Sequence, residues 1–117
     1  MSISQKPHLT IGDVVTRLRN DILTPTSVRK YIRIIEREWF ICEERRGAYN
    51  PITLELRNLR QFLERKIIPL MEMDEQSMKE GTPEQLLETY ILRSLSAQTL
   101  ARVLIQASPR DIRGMLE

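Results

Sequence analysis

Cysteine is nearly missing from this chain. Cys42 stands alone among 117 residues, which excludes an internal disulfide and any multi-cysteine zinc cluster. Histidine is just as scarce: His8 is the single one, so Ser-His, Cys-His and multi-histidine metal chemistry have almost no raw material. The four glycines, Gly12, Gly47, Gly81 and Gly114, stand too far apart to build a phosphate-cradling loop. No apolar run approaches the ~18–20 residues of a membrane span. The opening stretch from Met1 to His8 is polar and has no apolar segment of a secretory signal. Together these absences predict no enzyme, no metal site, no cofactor and no membrane partner, and a cytoplasmic address.

What is present is a charge-rich chain with enough apolar residues for one core, 41% hydrophobic against 29% charged. The charge is uneven. Residues 1–66 hold 13 Lys/Arg and eight Asp/Glu, a net of +5. Residues 67–117 hold five and eight, a net of −3, and the halves together give the chain's +2. A basic front and an acidic back suggest a polyanion partner for the first half alone, the bland alternative being chance clustering.

After a polar leader at 1–8, Ile11, Val14, Val15 and Leu18 make one helical face. Thr10 and Asp13 supply a capping-box pattern, and residues 20–23 break the periodicity. Thr24-Pro25 opens a second helix, with Val28, Ile32, Ile35 and Trp39 on its apolar face. Its other stripe reads Thr26, Arg29/Lys30, Arg33, Arg37. The β-prone stretch Trp39 to Glu44, a turn at Arg45-Arg46-Gly47 and a return over Ala48 to Ile52 predict a short two-stranded ribbon, with Pro51 confining the return to an edge. A long helix then covers 53–73, ended or kinked near Pro69. Its residues Leu56, Leu59, Leu63, Ile67 and Leu70 form the candidate dimerisation seam. A linker over 74–82 leads to a helical tail over 83–117, in which Thr82, Pro83 and Gln85 cap a face of Leu86, Leu87, Tyr90, Ile91 and Leu95. Leu100, Val103 and Leu104 continue it, and Ser108-Pro109 opens a last turn or two.

A capped helix, a cationic second helix and a ribbon tipped with arginines are in order the parts of a winged helix-turn-helix. The fold class predicted is therefore mainly α, with residues 9–52 as the DNA-binding region. A helix fits the major groove of duplex DNA, where Arg and Lys reach guanine edges and hydroxyls hold phosphates. The residues also resemble a known family, the MerR-like winged-helix regulators with the related phage excisionases, over about residues 9–62. Leu9-Thr-Ile-Gly-Asp-Val-Val resembles the family's opening, and Thr26-Ser-Val-Arg-Lys-Tyr31 its Ser/Thr-Leu-Arg-Tyr-Tyr. Glu36-Arg-Glu is similar to the segment before the wing. Tyr49-Asn-Pro-Ile-Thr is similar to the exit from it, followed by Leu59-Arg60-Gln61-Phe62. The chain departs from that pattern in a longer turn between the first two helices, in about three extra residues after Tyr31, and in Asn50 where the family has a wing arginine.

The resemblance implies DNA-contacting or helix-supporting places for Arg29 and Tyr31, wing positions for Arg45, Arg46 and Tyr49, and homodimers formed through the helix after the wing. The DNA-binding set predicted is Arg17, Thr26, Ser27, Arg29, Lys30, Arg33, Arg37, Arg45, Arg46 and Tyr49. For Arg17 the alternative is solvation of the first helix, and for Arg45-Arg46 a plain polar turn. Cys42, Trp39 and Tyr31 read as packing residues. The function predicted is a sequence-specific, nucleoid-associated regulator that binds double-stranded DNA as a homodimer. The competing prediction is a helical adaptor, or a DNA-partition or excisionase-type accessory protein, whose tail at 83–117 binds another protein.

Overall fold

A computed structural model describes residues 11–73 and 81–107. The predicted cap at Thr10, the leader with His8 and the final turns after Ser108 lie outside these residues, as does most of the predicted linker.

The first helix, α1 (Ile11–Ile22), runs three residues into the expected break at 20–23, because Ile22 extends the apolar face four residues beyond Leu18. Val15, Leu18 and Ile22 are all buried. Only Leu23 and Thr24 separate it from α2 (Pro25–Arg46), so the inter-helix turn is short and not long as the sequence suggested. Thr24 is extended at φ −122° and its hydroxyl accepts from the Ser27 amide at 3.0 Å; Pro25 starts the helix with its fixed φ.

The largest correction concerns the wing. Among the described residues there is no strand, and the winged helix-turn-helix assignment fails on that point. The stretch Trp39 to Glu44 continues α2, which extends for 22 residues. The β-prone composition yields to tertiary packing: Cys42 falls seven residues after Ile35, on the buried face that already holds Val28, Tyr31, Ile32 and Glu38. Arg45-Arg46-Gly47 closes this helix instead of tipping a ribbon. Two cations lie in the last turn against the negative end of the helix dipole, and the Gly47 amide donates to the Glu43 carbonyl at 3.0 Å. Gly47 has φ 91° and ψ 158°, a conformation that side-chain-bearing residues avoid.

Ala48 to Ile52 is likewise no strand. Asn50 caps α3 (Pro51–Phe62), its side-chain oxygen accepting from the Ile52 amide at 3.0 Å, and Pro51 is the first helical residue. Pro51 signals a helix start, not a sheet edge. α2 and α3 form an antiparallel hairpin, registered by Arg60 of α3 reaching Glu36 of α2 at 3.6 Å. Pro69 deforms the rod as expected: its missing amide and its ring disturb the preceding turn, and Leu63–Ile67 adopts a wider π turn before α4 (Ile68–Met71).

The tail begins at α5 (Pro83–Ser94). Thr82 and Gln85 complete a reciprocal capping box, at 3.1 and 3.2 Å. After a break at Leu95-Ser96 comes α6 (Ala97–Ala107). α5 packs on α1, and α6 on α2 and α3. Leu87, Ile91, Leu100, Val103 and Leu104 join Val15, Leu18, Ile35, Leu56 and Leu59 in one core. Leu56, Leu59, Leu63, Ile67 and Leu70, the candidate seam, are enclosed there, each no more than 9% exposed. No helix of the described residues is long and apolar enough to cross a membrane.

Candidate nucleic-acid interface

The arginines divide into two populations. One is consumed within the fold. Arg19 of α1 reaches Glu88 of α5 at 2.6 Å. Arg60 lies between Glu36 and Glu64, at 3.6 and 3.3 Å, with its guanidinium 5.9 Å from the Trp39 ring centroid. Arg102 of α6 is 3.7 Å from Glu38, a carboxylate buried on α2. Arg17 sits 3.9 Å from Asp21, which also accepts from the Tyr31 hydroxyl at 3.3 Å. Arg17 therefore belongs to the α1–α2 contact and not to the outer stripe.

The second population lies on the outer face of α2. Thr26, Arg29, Lys30, Arg33 and Arg37 are all exposed, and among the described residues no carboxylate pairs with any of the four cations. At about 100° per residue these five positions fall within a sector of about 100°, over about 17 Å of helix. A hollow of about 360 Å³ lies among them, lined by Thr26, Arg29, Lys30, Arg33 and Ile34.

The fold gains nothing from this arrangement. Arg29 and Arg33, and Arg33 and Arg37, stand at the i,i+4 spacing at which like charges repel. Arg29 and Lys30 also lie near the positive end of the α2 dipole, whose first turn contains no acid. A polyanion would relieve both penalties.

The inner side of the ridge is pinned by Tyr31. Burial first, then the Asp21 charge and its hydrogen bond, push the Tyr31 phenol above its ordinary value, so it stays a hydrogen-bond donor. Ser27 is half-buried and its hydroxyl accepts from Thr24 at 2.8 Å, which makes it part of the helix cap. Arg45, Arg46 and Tyr49 are exposed at the opposite end of α2, about 30 Å from Thr26 along the helix, and do not join the ridge.

One residue of this face escaped the sequence reading. Phe40 is 55% exposed, although large apolar side chains usually turn inward. Its position was legible as Arg37 plus three and Arg33 plus seven, on the same stripe. No family model, no curated protein and no solved structure matches this chain.

Proposed function

We propose that this protein binds double-stranded DNA through the outer face of α2, laid into the major groove without help from a wing. The observation that carries the reading is the exposed row Arg29, Lys30, Arg33 and Arg37, unpaired among the described residues while Arg19, Arg60 and Arg102 are matched to acids. Clustered cations displace counterions from phosphates, and a helix with Arg side chains on one face reaches guanine edges. Nucleoid association and a regulatory role are part of the same proposal. The competing adaptor reading has less to work with, because α5 and α6 bury Leu87, Ile91, Leu100, Val103 and Leu104 in the core and expose Leu92 as the one large apolar side chain among their described residues. Pairing through Leu56, Leu59, Leu63, Ile67 and Leu70 would require the core to open, so a homodimer needs a different surface.

The test is fluorescence anisotropy with a labelled duplex, titrated with salt. Affinity is expected to fall steeply with salt, and Arg33→Ala to lower both the affinity and the magnitude of the slope of log K against log salt by about one contact. The same substitution should leave the unfolding free energy unchanged or raise it by a few tenths of a kcal/mol, because it removes a like-charge neighbour. Absence of binding at low salt would end the proposal.

A further inference from the structure

We infer that Phe40 is a specificity-determining residue that recognises the 5-methyl group of thymine, an inference that rests on the DNA-binding reading above. Four observations converge on this ring. Phe40 is 55% exposed. It lies in the same angular sector of α2 as Arg33 and Arg37, one turn beyond Arg37. Its ring stacks on Trp39, with centroids 5.3 Å apart and planes 15° apart, and Trp39 is itself held against the core under Arg60. The last is charge: Glu44, exposed one turn farther along the same face, ends the cationic row, so Phe40 occupies its boundary.

An aromatic ring at that place has a defined chemical complement in the major groove. The thymine methyl is the one apolar group that the groove edges present, and Phe is among the side chains that contact it. Along the α2 axis Phe40 stands about 10 Å from Arg33. The arrangement therefore favours A·T pairs next to the phosphates and base edges that Arg33 and Arg37 reach. A protein partner with an apolar pocket is the rival occupant, and it predicts no dependence on the thymine methyl.

The probe is a pair of duplexes of equal length, alternating dA–dT and alternating dA–dU, which differ by the 5-methyl group alone. The wild-type protein is expected to bind the thymine duplex about fourfold more tightly, the value of one buried methyl. Phe40→Ala should abolish the difference, and Phe40→Leu should retain part of it. Far-UV circular dichroism checks that both variants fold as the wild type does. Equal binding of the two duplexes by the wild type, or a difference that survives in Phe40→Ala, overturns the inference. With salt-dependent binding intact, that result leaves DNA binding standing and removes Phe40 from base reading. No binding to either duplex removes the inference together with the reading beneath it.

Discussion

Tyr31 shows how a single residue ties the ridge to the core. Its ring is 4% exposed, and its hydroxyl donates to Asp21 across the α1–α2 turn. Burial of the phenol, followed by the nearby Asp21 charge, raises its pKa above the ordinary 10, and burial with Glu55 raises that of Tyr90 in the same direction. The consequence for stability has a definite sign. Below pH 10 both the folded and the unfolded chain keep these protons. Above it the unfolded chain loses them first, so stability falls as pH rises through about 10 and beyond. Urea midpoints measured from pH 8 to 11 should show that decline, and Tyr31→Phe should flatten part of it. At neutral pH the same substitution should cost about 1 kcal/mol through the lost hydrogen bond. The packing role of Tyr31 and Trp39 was legible from helical spacing; Cys42 is buried as expected, but on a helix and not in the strand the sequence suggested. The partners were not: that Arg60 reaches Glu36 and Arg102 reaches Glu38 depends on which helices meet, and no local pattern encodes it.

At the scale of elements, the helices with strong local punctuation follow the sequence most closely. Thr82, Pro83 and Gln85 cap α5, and Thr24 with Pro25 opens α2, because capping involves side chain and backbone three residues apart and needs no tertiary contact. The wing was misjudged where local signals carry two meanings. Arg45-Arg46-Gly47 serves as a hairpin turn or as a helix terminus, and Asn50-Pro51 as a loop or as a helix cap. Burial of Cys42 on the α2 face and of Ile52 and Thr53 on α3 decides for the helices. Gly47 is the joint of this hairpin. An added Cβ would meet nothing within 4 Å, so the penalty of Gly47→Ala is backbone strain alone. That substitution should destabilise the protein by about 1–3 kcal/mol in denaturant titration, without altering the position of the α2 ridge.

For the whole molecule, the decisive fact is that residues on every one of the long helices share one core. A tail that looked available for a partner is instead one wall of the protein. Ile91 of α5 and Leu104 of α6 are fully enclosed. Ile91→Ala or Leu104→Ala should each lower the unfolding free energy by about 2–5 kcal/mol. Unfolding should stay a single transition by fluorescence and circular dichroism, because α1, α2 and α3 lose their packing when α5 and α6 detach. A separate, earlier transition of the tail would show that the core is divided.

The sequence by itself determined the apolar faces of α1, of α2 up to Trp39 and of α5, the caps at Thr24 and Thr82, the distortion at Pro69 and the row of cations on one side of α2. Each of these depends on residues at most about one turn apart, and the chain carries that information wherever it folds. Tertiary structure decided the rest. It converted the expected ribbon into helix and enclosed the leucine seam within the monomer. It also matched Arg19, Arg60 and Arg102 to acids on other helices, which leaves Arg29, Lys30, Arg33 and Arg37 facing outward. Burial and ion pairing are properties of which surfaces meet, and that is fixed only when the whole apolar area of the chain is brought together.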